Sequence, residues 1–220
     1  MSLNRYIVRV APGFLRAYRC QFLLDLPQML AYLPREGRIL DVGSGDGCTD
    51  YTIGKLYPGL DITGIEIDAG LAEQANRHNS AANVRYLARR LEEVEGQFDC
   101  VTFIDVLHHV SDQDATGLLA ECRRLLAPGG WVFVKDVDRR GGQFSYFMDR
   151  FVAFAAPVNL RTPDEVKQLV PDGFTLVSER RKWKFPQPHL YFKLSLDGAG
   201  EGNAQDVVRE ETTARLVADR

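Results

Sequence analysis

Short apolar runs separated by helical repeats set the layout of this chain. Residues 38–42 (RILDV), 61–66 (DITGIE), 84–87 (VRYL), 98–105 (FDCVTFID) and 131–136 (WVFVKD) are of strand length and rich in β-branched and aromatic residues. Between them, residues 46–57, 69–79 and 112–126 carry apolar positions at helical spacing. In the last of these Ala115, Leu118, Leu119, Cys122, Leu125 and Leu126 share a face. Pro58-Gly59 ends the first of these helices, and Ser111 or Asp112 is placed to cap the third.

Before the first strand, residues 14–33 repeat apolar positions as one or two amphipathic helices interrupted near Pro27. After the fifth strand come Gly141-Gly142 and a dense aromatic stretch, Phe144 to Phe154. Thr162-Pro163-Asp164-Glu165 then opens a last helix, with a cap, a proline in the first turn and acids beside it, and Pro171-Asp172-Gly173 closes it. Residues 174–183 and 190–194 read as two final strands joined through Phe185 to His189. The expected division is an N-terminal helical segment over residues 1–37, one α/β domain over 38–196 with an insertion at about 141–160, and a linker with a charged tail over 197–220.

Length and composition narrow the class. The chain has 220 residues, 45% apolar and 26% charged, with a net charge of −3, which suits one α/β domain and gives no electrostatic reason to expect nucleic acid. No apolar run is long enough to cross a bilayer, so a cytoplasmic protein is expected. Cys20, Cys48, Cys100 and Cys122 form no C-x-x-C pair and have no histidine at ligand spacing, so no metal is expected.

The chemistry begins at Asp41-Val42-Gly43-Ser44-Gly45-Asp46-Gly47. A strand ends at an acid and enters glycines at alternate positions, which lets bare backbone approach a ligand at the strand's carboxyl edge. A dinucleotide fingerprint would place its third glycine at Cys48, and a phosphate-binding P-loop would end in Gly-Lys-Ser/Thr, which the chain lacks. Glu66 ends the second strand about twenty residues beyond the turn, where a carboxylate's two oxygens can accept from two ribose hydroxyls.

The D-x-G-x-G-x-G run resembles motif I of the class I S-adenosylmethionine-dependent methyltransferases. Phe98-Asp99 to Asp105, continuing as Val106-Leu107-His108-His109, is similar to that family's motif IV, and Leu126-Ala127-Pro128-Gly129-Gly130 resembles its turn before the fifth strand. The resemblance covers residues 38–136 motif by motif. It implies a doubly wound, Rossmann-like sheet of seven strands in the order 3-2-1-4-5-7-6, with strand 7 antiparallel, N-terminal helices and a helical lid after strand 5. It also implies S-adenosylmethionine as cofactor and S-adenosylhomocysteine as product.

Carried over residue by residue, the cofactor site would comprise Asp41, Gly43, Gly45 and Gly47, Glu66 on the ribose, Ile67 on the adenine face, and Ile104 and Asp105 near the methionine part. Where the family often has an acid near the adenine amino group, this chain has Arg90, so backbone groups around Arg90 and Leu91 are the expected substitute. Methyl transfer from a sulfonium needs alignment more than covalent help, and a base only where the acceptor must lose a proton. Imidazoles, with ordinary pKa values of about 6.5, suit that task. The candidates are His108, His109 and Asp136, then His189 and Tyr146.

The expected acceptor is a small apolar or aromatic molecule methylated at oxygen, with carbon or nitrogen next, handled by a monomer or homodimer. A non-catalytic cofactor-binding protein is the alternative from another class. An NAD(P) oxidoreductase is disfavoured by Cys48, and nucleic-acid methylation by the lack of an N/D-P-P-Y/F motif; a protein substrate stays open.

Overall fold

A computed structural model describes residues 25–141, 158–184 and 187–198. Helix α1 (Leu26–Leu30) leads into β1 (Glu36–Val42), α2 (Cys48–Leu56), β2 (Gly59–Glu66), α3 (Ala69–His78), β3 (Val84–Ala88) and β4 (Phe98–Ile104). Then follow α4 (Asp112–Leu125), β5 (Leu126–Val137), α5 (Pro163–Gln168), β6 (Phe174–Lys184) and β7 (Gln187–Leu196), with single 3-10 turns at Leu91–Glu93, Leu107–His109 and Arg139–Gly141. The first part of the expected N-terminal helices, the aromatic insertion with Tyr146, and the tail beyond residue 198 lie outside the described residues.

The seven strands form one sheet in the order β3-β2-β1-β4-β5-β7-β6. β1 pairs parallel with β2 and β4, β3 with β2, and β5 with β4, while β7 runs antiparallel to both β5 and β6. The order reverses direction between β1 and β4, the switch point at which open parallel sheets bind ligands outside their carboxyl ends.

Both faces are covered, so the inner strands are apolar on both sides. Leu40, Val42, Phe103, Val134 and Phe192 face α4 and α5 through Leu119, Leu125 and Val166. Ile39, Ile62, Cys100, Phe133 and Tyr191 face α1, α2 and α3 through Met29, Ile53 and Ala75. Helix boundaries follow local chemistry. Ser111 Oγ accepts from Asp114 N at 3.1 Å at the start of α4, and Thr162 and Glu165 form a reciprocal capping box at α5.

Three expectations on strands need correction. The fifth strand starts at Leu126, not 131, because Phe98 pairs with Leu126 and Cys100 with Trp131, so residues 127–130 bulge opposite Asp99. The seventh strand starts at Gln187, which puts His189 inside the sheet rather than in the connecting turn. The fourth strand ends at Ile104, and Asp105 is set beyond it at φ 57°.

Candidate active site

The turn after β1 is built so that backbone, not side chains, faces the crevice. Gly43, Gly45 and Gly47 have φ of 75°, 57° and 72°, the left-handed region that side chains disfavour. Added methyls would have different neighbours. One on Gly43 would meet Val106 Cγ2 at 2.8 Å, and one on Gly47 the ring of Tyr86 at 2.3 Å, whereas one on Gly45 would meet nothing within 4 Å among the described residues. Gly43 and Gly47 are thus required by packing, and Gly45 is not.

Glu66 turns towards Gly45. Its Oε2 accepts from Gly45 N at 3.1 Å and its Oε1 from Asp68 N at 3.0 Å. Ile67, the next residue, is 77% exposed, an unusual state for a large apolar side chain at the mouth of a crevice. These residues suit an adenosyl group: a half-buried carboxylate for the ribose diol, an uncovered apolar face for the base, and bare backbone at Gly45.

Around Arg90 and Leu91 some backbone groups are engaged within the protein. Arg90 N is taken by Glu93 Oε2 at 2.8 Å, Leu91 O accepts from Arg124 Nη2 at 2.9 Å, and the Leu91 side chain lies in the core.

Beneath the glycines lies a carboxyl pair that the sequence reading only half saw. Asp41 is 3% exposed and accepts from Thr102 Oγ1; Asp50, on α2, is 2% exposed, and its Oδ2 has no hydrogen-bond partner among the described residues. Burial raises Asp41 to about 7, the Thr102 and Asp50 hydrogen bonds oppose the rise, and the Glu66 charge adds to it. Burial first, then the Asp41 charge, pushes Asp50 well above the usual carboxylate range. The two acids therefore share at least one proton near neutrality.

An acid raised in the folded state binds its proton more tightly folded than unfolded. Its contribution to stability is therefore fully present below 3.8 and is lost as pH climbs from 3.8 to about 7. The melting temperature is expected to fall by on the order of 5 °C between pH 5 and pH 8, and Asp41→Asn to flatten that fall. A cationic ligand above the pair favours its ionised form, so cofactor affinity should rise with pH over the same window, as titration calorimetry would read.

The second half of the site follows β4 and β5. Asp105 N donates to Lys135 O at 2.8 Å, and the buried Lys135 ammonium lies 2.6 Å from both Asp105 oxygens. Burial works to raise Asp105, but the Lys135 ammonium together with His108 and His189 holds the carboxyl below its usual range. Its left-handed backbone is the strained kind found where structure over-determines a functional residue.

Ile104 is half-buried beside it. His108 is buried, its Nδ1 hydrogen-bonded to Asp136 Oδ1 and its backbone N donating to Asp136 Oδ2 at 3.1 Å. His109 is exposed, its ring tilted 53° against that of His108. Val106, between Asp105 and His108, is the residue that Gly43 abuts, so the two halves of the site touch.

Ligand atoms of Asp105, His108 and Asp136 lie within 4.8 Å of one another, close enough for a cation. Asp105 already holds the Lys135 ammonium with both oxygens, and Asp136 holds His108, so the donors a metal would use are engaged.

Two residues not foreseen fix the His108 turn. Arg161 sends Nη1 to Leu107 O at 2.6 Å, Nη2 to Val110 O at 2.8 Å and Nε to Asp112 Oδ1 at 2.8 Å. Asn159 N donates to His108 O at 2.7 Å. No local pattern marks them, since their partners are 49 to 54 residues away. Arg161→Met should remove the guanidinium's bonds to Leu107 O and Val110 O, which keep second donors in Val110 N and Asn159 Nδ2, and cost about 1–2 kcal/mol by chemical denaturation.

A family model described as a methyltransferase domain matches residues 14–179. The ubiquinone biosynthesis O-methyltransferase of Bordetella avium (strain 197N) is 33% identical over 129 residues, which is 56% of this chain and 52% of that protein. The enzyme of the same name from Pseudomonas aeruginosa (strain UCBPP-PA14) is 32% identical over 108 residues, 46% of this chain and 45% of that protein. The chain thus spans about half the length of the curated relatives it matches.

Among solved structures, the PH0226 protein from Pyrococcus horikoshii OT3 superposes with a TM-score of 0.69 at 19% identity, over 87% of this chain and 99% of that one. The O-methyltransferase NcsB1, in complex with S-adenosyl-L-homocysteine and 1,4-dihydroxy-2-naphthoic acid, does so with a TM-score of 0.66 at 16% identity, over 83% of this chain and 56% of that one. These two share the fold. With the family model spanning three quarters of the chain and the glycine turn, Glu66 and the sheet order all in place, the chain belongs to the S-adenosylmethionine-dependent methyltransferase family.

Proposed function

We propose that this protein methylates an oxygen of a small, partly apolar or aromatic molecule, with His108 as general base and Asp136 as the group that orients it. The reading is carried by the buried His108–Asp136 pair at the carboxyl edge of β4 and β5, in line with the glycine turn. Relatives named as O-methyltransferases support it.

Bound S-adenosylmethionine supplies an activated methyl, whose C–S bond breaks as the acceptor's C–O bond forms, leaving S-adenosylhomocysteine. Gly43, Gly45, Glu66 and Ile67 would hold the adenosyl part, and Asp105 would face the methionine part. The chain's own chemistry is a proton transfer. With Nδ1 on Asp136, Nε2 is the ring nitrogen of His108 that would take the hydroxyl proton as oxygen attacks. Asp136 fixes the tautomer and offsets the positive charge that develops on the ring.

Among the described residues no helix is long and apolar enough to cross a membrane. With a net charge of −3 we infer a free small-molecule substrate rather than nucleic acid, handled in the cytoplasm by a monomer or homodimer. Methyl transfer from labelled cofactor to a panel of phenols, enols, carboxylic acids and amines tests the reading. Transfer to a phenol or enol with a base-dependent pH profile is expected. Transfer only to amines or carbon, or to no member of the panel, would contradict it.

A further inference from the structure

One polar group near the site has no task in the reaction above. His189 on β7 is 1% exposed, and among the described residues neither of its ring nitrogens has a hydrogen-bond partner. The charged groups described around it are engaged elsewhere. Lys135 is held by Asp105, and Asp25 Oδ2 accepts from Tyr191 Oη at 3.2 Å and pairs with Lys182 Nζ at 3.0 Å. The Tyr191 ring lies 6.5 Å away and offers His189 no bond.

Position gives the orphan its meaning. His189 is in register with Val137, the last residue of β5, one step beyond the Asp136 that holds His108. It therefore stands at the same edge of the sheet as the reacting groups, while its partner Val137 alternates with Asp136 and so faces the side covered by α1. On the other side it is in register with Lys182 of β6.

A buried donor and acceptor left unpaired are unfavourable, and a phenylalanine would avoid the penalty at similar volume. Burial first, then the Lys135 ammonium, pulls the imidazole down to about 3, with Asp105, Asp25 and Asp136 opposing. The ring is therefore neutral at cell pH and presents one N–H and one lone pair, a set that matches an oxygen substituent rather than an ion.

We propose that His189 is a specificity-determining residue that binds an oxygen substituent of the methyl acceptor other than the oxygen that receives the methyl. The inference rests on the O-methylation reading for its acceptor, and it adds that preferred acceptors carry two oxygen functions placed to span from His108 to His189.

The test uses the full chain loaded with S-adenosylhomocysteine and labelled at its four histidines. His189→Phe and His108→Gln assign the two ring resonances. The ortho, meta and para isomers of hydroxyacetophenone serve as two-oxygen probes, and phenol as the one-oxygen control. At least one isomer is expected to move the His189 resonance, with phenol leaving it in place.

In kinetics, His189→Phe should raise KM for that isomer by on the order of 10- to 100-fold, the loss of one hydrogen bond to a buried group. Its kcat and its affinity for S-adenosylhomocysteine should stay near wild type, its melting temperature should be unchanged or higher, and His189→Gln should recover part of the KM. A His189 resonance unmoved by all three isomers at saturation, or an unchanged KM in His189→Phe, overturns the proposal. So does a lower melting temperature in His189→Phe, which marks the ring as bonded to structural water. A shifted His189 resonance without turnover of any acceptor would leave the subsite standing and contradict the methylation reading instead.

Discussion

Replacing His108 with glutamine is expected to lower kcat by on the order of 100- to 1,000-fold on a phenolic acceptor while leaving S-adenosylhomocysteine affinity unchanged. General bases contribute about 10²–10⁴-fold, and glutamine retains size and polarity without accepting a proton. The pH profile separates loss of a base from loss of shape. The wild type should lose activity as pH falls and the base is protonated, whereas His108→Gln should show a flat residual rate over that limb. Asp136→Asn should act through the same ring. An amide cannot accept at both oxygens from His108 Nδ1 and His108 N, so the imidazole loses its fixed tautomer. The double variant should then be little worse than either single one, as for groups that act as a unit.

Glu66→Ala is expected to weaken cofactor binding by on the order of 100-fold, about 3 kcal/mol. The carboxylate offers two oxygens, now on Gly45 N and Asp68 N, and a ribose diol would draw on the same pair as charge-assisted bonds. Glu66→Gln keeps the size and one acceptor oxygen, and should lose on the order of 10-fold. Because the side chain is only partly buried at the crevice mouth, both variants should fold. Their melting temperatures without ligand are expected to match wild type within a few degrees, and differ by more only when S-adenosylhomocysteine is added.

Local chemistry made much of this legible in the sequence. The glycine turn, Glu66 at the end of β2 and the caps of α4 and α5 depend on residues near one another in the chain, while the sheet order followed from the family resemblance. Steric demand explains the turn: Gly43 and Gly47 cannot carry side chains against Val106 and Tyr86, so their identity is printed in the sequence. The strand 126–137 was shortened because Pro128-Gly129-Gly130 reads as a turn, yet a bulge opposite Asp99 carries those residues into the sheet.

The acceptor side was less legible because it is assembled from distant parts. Lys135 looks like an ordinary cation inside an apolar strand, and only the left-handed turn of Asp105 brings the two charges together. Arg161 and Asn159 act on carbonyls some fifty residues away, and a backbone oxygen leaves no mark in a sequence. Around Arg90 and Leu91, too, which backbone groups face a ligand depends on what else bonds to them, and there Glu93 takes Arg90 N and Arg124 takes Leu91 O.

The seat at Gly45 can be tested with least interference from folding. Among the described residues a Cβ at Gly45 meets no atom within 4 Å, and asparagine is one of the residues that adopt the left-handed φ of 57°. Titration calorimetry of S-adenosylhomocysteine into wild type and Gly45→Asn should therefore show binding by the first and none by the second, with melting temperatures within a few degrees of each other before ligand is added. Equal affinity in the two proteins would mean that the cofactor does not lie on this backbone, and the site would have to be sought elsewhere.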